Sequence, residues 1–162
     1  IMTLRLIQEN LGRRPIYFSI TAGSSAWAGL NKYLTQDALV LRLNPDVPRD
    51  SSRLETGLFN SMVDGPRTDS LAWHVYRYAR LFDVDSLDLD PTAQNIASNL
   101  SIPFLTLGNA WALKADRVRS VENFRRAYHL SPSPDLLRVT ESLATITETP
   151  ADTTKRRAAP RR

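Results

Sequence analysis

The chain has 162 residues, 42% apolar and 23% charged, which is enough for a buried core in one ordinary domain or two small ones. It has no cysteine, which excludes a disulfide framework and a thiolate metal site, and no run of eighteen apolar residues that could cross a membrane as a helix. The net charge of +4 belongs to the end of the chain: Lys155, Arg156, Arg157, Arg161 and Arg162 are five of 21 basic residues, and the 16 that remain face 17 acidic ones. That distribution argues against a nucleic-acid surface. Residues 149–162 have two prolines and no large apolar side chain, and they read as a disordered, solvated basic tail.

The first eleven residues place Leu4, Ile7 and Leu11 on one side of a helix. Ile1 precedes Met2, a start that reads as the C-terminal part of something longer. Arg13, Arg14 and Pro15 break the pattern. Ile16, Phe18 and Ile20 then alternate with Tyr17, Ser19 and Thr21, which predicts a strand over 16–20. A polar turn over 21–25 leads into a helix built on Trp27, Leu30, Tyr33 and Leu34. A second strand over 38–43 has Leu39, Leu41 and Leu43 on one face and ends at Asn44-Pro45. Two strands joined through a helix predict a parallel pair with a right-handed crossover. This is a small α/β unit over residues 1–47. Pro45, Pro48, Asp50 and two serines mark a linker. Helices are predicted over 53–63 and 69–82, an acidic connection over 83–90, and a long helix opening at Pro91.

Between Phe104 and Pro132 the spacing becomes specific. Phe104, Leu107, Gly108 and Trp111, then Phe124, Ala127 and Pro132, follow the pattern of a tetratricopeptide repeat. Gly108 and Ala127 are small, so two antiparallel helices can approach. Phe104, Leu107, Trp111 and Phe124 are expected to fill the seam, with Trp111 meeting Phe124. The turn falls at Ala115-Asp116, and Pro132 stops the second helix. A closing helix over 135–146 has Leu136, Leu137, Val139, Leu143 and Ile146 as its apolar set. A unit of this kind binds or spaces polypeptide. Asn109, Arg117, Arg119 and Arg125 are left for a partner surface.

Candidate chemistry is sparse. Gly23 and Gly29 lie between a strand and a helix, but neither a phosphate loop nor a dinucleotide fingerprint is present. Ser24 and Ser25 read first as helix caps, with an anion at that helix start as the alternative. Asp83, Asp85, Asp88 and Asp90 lack the Gly and Glu of a calcium loop. His74 and His129 have no metal-ligand spacing to a second histidine. Catalytic residues, cofactors and metals are therefore all predicted as none.

Arg14, Pro15, Ile16, Tyr17 and Phe18, then Gly29, Leu30, Tyr33 and Leu34, then Arg42, Leu43, Asn44 and Pro45, form an ordered set of motifs. With the aromatic-rich helices and terminal repeat that follow, the set resembles the C-terminal region of polytopic bacterial membrane proteins related to protein O-mannosyltransferases. Ser19 and Ala38 stand where that family commonly has Ala and Gly. The resemblance covers most of residues 1–134. It implies a parent glycosyltransferase with membrane spans before this region, a lipid-linked sugar donor and an extracytoplasmic position. The catalytic carboxylate of such enzymes lies in the membrane portion, so no catalytic residue carries over.

The expected fold class is α+β, mostly α: a small βαβ-type unit over 1–47, an all-helical tetratricopeptide-like array over 48–148 and the tail over 149–162. The expected function is a non-catalytic, extracytoplasmic C-terminal domain of a multipass membrane glycosyltransferase, binding acceptor polypeptide or bracing the membrane part. The alternative is a free-standing tetratricopeptide-like interaction adaptor.

Overall fold

The structure, a computed structural model, describes residues 2–27, 29–48, 53–55, 62–78 and 80–147. The basic tail and most of the expected linker lie outside the described residues. The fold is α+β and mostly α: a small sheet followed by a helical array.

Helix α1 spans Met2–Asn10 and ends where Gly12 takes a left-handed φ of 79°. It turns Ile7 onto the sheet. Among the described residues five short strands follow: β1 Ile16–Ser19, β2 Leu34–Asp37, β3 Val40–Leu43, β4 Arg53–Glu55 and β5 Met62–Asp64. Their order across the sheet is β1-β3-β2-β5-β4. Among the described residues only β2 and β5 run parallel.

The expected parallel pair is a correction. The strands around 16–20 and 38–43 exist, but β1 pairs β3 antiparallel, Ile16 opposite Leu43 and Ser19 opposite Val40. The helix expected on Trp27 to Leu34 is two 3-10 turns, Ser24–Trp27 and Asn31–Tyr33, separated by Gly29 at φ 77°. Leu34 then opens β2, which forms a hairpin with β3 through Ala38 and Leu39. Such a hairpin needs no crossover, which removes the reason for a parallel pair.

Strands also replace part of the expected helix over 53–63, where β4 and β5 stand, and the sheet thus continues past residue 47. The expected helix over 69–82 is displaced. Helix α2 spans Gly65–Ser70, with the Asp64 carboxylate accepting the Arg67 N–H as its cap. One π turn, Leu71–Val75, follows, and Tyr76 is already extended. Burial of aromatic side chains overrides helix continuation here. Trp73, Tyr78 and Phe82 converge on Phe104, with ring centroids 5.7, 5.4 and 5.9 Å away.

Among the described residues three more helices follow: α3 Pro91–Leu113, α4 Arg117–Leu130 and α5 Pro134–Thr147. The starts of α3 and α4 are set by side-chain caps. Asp90 accepts the N–H groups of Thr92 and Ala93 ahead of Pro91, and Asp116 accepts that of Arg119. Pro132 lies in the connection after α4, as the spacing predicts.

Two apolar cores meet at α3. One gathers Ile7, Ile20, Trp27, Leu34, Leu41 and Leu43 under the sheet, and Ile102 of α3 packs against it. The other joins Phe104, Leu107, Ala127 and Leu130 with Ala72. Gln36 Nε2 donates to Thr106 Oγ1 at 3.2 Å across the junction. Helices of this same chain thus pack against the sheet.

Candidate functional site

The α3–α4 hairpin is built around an absent side chain. A Cβ on Gly108 would lie 2.5 Å from the Phe124 ring, so only glycine lets that ring approach α3 this closely. Ser120 fastens the same contact by donating to the Gly108 carbonyl at 2.8 Å. Phe104, Leu107 and Ala127 are fully buried beside it. Trp111 packs at the edge of this core. Its indole lies beneath the Arg119 guanidinium, 4.6 Å from the ring centroid, with the Lys114 ammonium at 5.4 Å. One helical turn separates Trp111 from Gly108, and that turn aims it toward α2, where it borders a cleft with Pro66 and Asp69.

Helix α5 packs on α4 and leaves an open groove against α3 of about 490 Å³. Asn109 and Ala112 form one wall, Val139, Ser142 and Leu143 the other, and Phe124 lies at the base. Asp135 and Arg138, an ion pair on the first turn of α5, stand at one end. Asn109 is exposed, and its amide has no partner among the described residues. The groove therefore offers an uncommitted donor and acceptor flanked by apolar surface. Val139 is 45% exposed and Leu137 37%.

The four residues expected at a partner surface do not share one face. Asn109 lines this groove. Arg119 belongs to the Trp111 cleft and pairs with Asp116 at 3.6 Å. Arg117 and Arg125 are exposed on α4 and line neither opening. Sequence reasoning did not find Arg138 and Ser142. The Val139–Leu143 pair, four residues apart on α5, was the signal available, because with Leu136 it marks one apolar stripe of that helix.

The family-like motifs take structural places. Arg14 and Pro15 are exposed ahead of β1, Tyr17 faces solvent and Phe18 turns toward the sheet core. Gly29 makes the left-handed link, and Leu30 and Tyr33 pack against the same core. Asn44 Nδ2 donates to the Tyr33 carbonyl and Thr35 Oγ1, both at 2.8 Å. Arg42 reaches Asp37 and Asp64, each at 3.3 Å.

Asp37 is the most confined charge described, its side chain 1% exposed and also 2.9 Å from Arg67 Nε. Burial pushes its carboxyl pKa above the ordinary value, and Arg42 and Arg67 pull it only part of the way back. Arg126 is held differently, stacked 3.8 Å from the Trp73 centroid and 4.7 Å from that of Phe82. Burial lowers its pKa from the ordinary value, against Glu122 and Tyr78.

The remaining candidates scatter. Ser24 and Ser25 fall inside a 3-10 turn rather than at the start of an α-helix. Asp83, Asp85, Asp88 and Asp90 are exposed, with Asp90 spent on the α3 cap. His74 is exposed, and His129 Nε2 lies 2.6 Å from the Leu81 carbonyl, tying the 81–82 loop to α4. Among the described residues no helix is long and apolar enough to cross a membrane. No protein-family model, no curated protein and no solved structure matches this chain.

Proposed function

We propose that the chain is a non-catalytic, polypeptide-binding accessory domain, in the setting its motifs resemble: the extracytoplasmic C-terminal part of a multipass membrane glycosyltransferase related to the protein O-mannosyltransferases. The observation that carries the binding role is the α3–α5 groove, with the free Asn109 amide set between apolar walls. An extended polypeptide satisfies both features. Its backbone exchanges hydrogen bonds with the amide, and its side chains cover Val139 and Leu143. The glycosyltransferase setting is supported by the ordered motifs of residues 14–18, 29–34 and 42–45 alone.

The test uses the parent enzyme and its acceptor polypeptide. Val139→Arg, a change at an exposed position, is expected to raise KM for the acceptor about tenfold with kcat unchanged. An unchanged KM defeats the groove assignment. Sugar transfer from a lipid-linked donor by residues 1–162 alone defeats the non-catalytic one. Apolar segments of about twenty residues encoded ahead of Ile1 support the membrane setting, and a soluble domain encoded there defeats it.

A further inference from the structure

Strand β1 is an outer edge of the sheet, and among the described residues nothing pairs with its free side. The register shows which groups that side offers. The Ile20 N–H donates to the Leu39 carbonyl at 3.4 Å, and opposed residues of an antiparallel ladder alternate between bonded and non-bonded pairs. Phe18 and Ile16 therefore bond inward to Leu41 and Leu43. The N–H and C=O of Tyr17 and the N–H of Ser19 point outward. The Asn44 N–H on the Tyr33 carbonyl at 2.9 Å sets the matching phase for β3 against β2. An open row of this kind is a template for another strand.

A cleft runs beside it. Between α1 and β1 an opening of about 390 Å³ is lined by Leu6, Ile7, Asn10, Arg14, Tyr17 and Phe18. Leu6 is 55% exposed and Tyr17 44%, so apolar surface stands uncovered along the edge. Charge at its mouth has one sign. Arg5 is committed to Glu9 at 3.0 Å, whereas Arg13 and Arg14 are exposed and have no ion pair among the described residues.

We infer that this cleft binds an extended polypeptide segment of alternating apolar and acidic residues, which adds to β1 as a sixth strand of the sheet. Its backbone pairs with Tyr17 and Ser19. Its apolar side chains seat between Leu6, Ile7 and Phe18, and an acidic one meets Arg14. Backbone pairing supplies affinity, and the cleft and arginine supply selectivity. The site is separate from the α3–α5 groove and does not depend on it.

The probe is a capped seven-residue peptide alternating valine and glutamate, added to the full chain. Amide exchange at Tyr17 and Ser19 is expected to slow about tenfold or more at saturation, while that of Phe18, already bonded inward, does not change. Replacing the glutamates by lysines, or Arg14→Glu in the protein, is expected to weaken binding about tenfold at low salt. Tyr17→Pro removes an outward N–H at an edge, where proline is tolerated, and is expected to weaken binding about tenfold. Tyr17→Ala keeps that N–H and is expected to cost less than about threefold. If Tyr17→Pro does not fold, the exchange measurement on the unchanged protein decides. Unaltered exchange at Tyr17 and Ser19 in millimolar peptide overturns the inference. So does protection of those amides that grows with protein concentration in the absence of peptide, because a second copy then occupies the edge.

Discussion

In the α3–α4 hairpin the decisive contact is made by what is missing, a Cβ at Gly108 that leaves room for the Phe124 ring. In the sheet the decisive contacts are made by polar groups with no access to water. Every residue of β2 is buried, and three of the four are polar. Gln36 Nε2 donates to the Ala38 carbonyl at 3.0 Å and to Thr106, and Thr68 Oγ1 sits between the Ala38 N–H and the Gln36 carbonyl. Asp37 is gripped by Arg42 and Arg67. The difference shows how each region fails. A seam closed by shape responds to volume and is indifferent to pH, whereas a strand closed by charge and hydrogen bonds responds to protonation.

The largest effect is expected in the seam. Phe124→Ala empties the space over Gly108 and should cost about 3–5 kcal/mol, read from urea midpoints. Gly108→Val drives side-chain atoms into the ring and should cost about 1–3 kcal/mol, although glycine is a poor helix former. Both losses should be the same at pH 5 and pH 8. A Gly108→Val midpoint equal to that of wild type would show that the hairpin can open without penalty and would erase the contrast between the regions.

Protonation tests the polar side. The Tyr78 hydroxyl is buried with no hydrogen-bond partner among the described residues, and burial pushes its pKa up to about 12. A pKa raised in the folded state means that the native protein holds the proton more tightly than the unfolded chain. Stability from this group is therefore complete below pH 10 and is lost as pH climbs from 10 toward 12, on the order of 2 kcal/mol. Tyr78→Phe should remove that part of the alkaline loss. Equal slopes for variant and wild type between pH 10 and 12 would refute the assignment. Asp37 carries the same sign at the acid end. With its pKa raised above 3.8, its contribution is greatest below that value and falls as pH rises past it. Against Asp37→Asn, which cannot ionise, wild type should lose ground as pH increases from 3.5 to 7. A gain instead would mean that Arg42 and Arg67 outweigh burial.

The same contrast decides what the sequence discloses. The helices of the hairpin announce themselves through side-chain spacing and through Asp90-Pro91 and Asp116, which act locally and read locally. Strand β2 announces nothing, because Thr35, Gln36 and Asp37 look like a loop until their partners from residues 42, 44, 67 and 106 are in place. Strands β4 and β5 have three residues each, too few to show a period. The turn from helix to extended chain at Tyr76 depends on Phe104, far along the sequence. The groove was half legible. Asn109 stands out as a polar residue in an apolar helix, whereas Arg138, Val139 and Ser142 join it only once the rotation of α5 is known.

The smallest expected effects come from two alanines, one in each region, held at nearly the same left-handed φ. Ala115, at 58°, ends α3: its N–H donates to the Ala112 carbonyl at 3.0 Å, and the Asp116 N–H reaches the Trp111 carbonyl at 2.9 Å. That double closure favours glycine, because a Cβ in this conformation costs about 1–2 kcal/mol. Ala115 is exposed and its methyl packs against little, so Ala115→Gly should stabilise by about 0.5–1 kcal/mol after the extra freedom of the unfolded chain is subtracted. Ala38, at 57°, bears the same backbone strain in the β2–β3 hairpin but is fully buried. Its methyl contributes about 0.8 kcal/mol of burial that glycine would forfeit, so Ala38→Gly should be close to neutral. Thermal midpoints of the two variants measure the difference directly. Equal stabilisation would mean that the buried methyl of Ala38 contributes nothing, and that the hairpin rests on the hydrogen bonds of Gln36 and Thr68 alone.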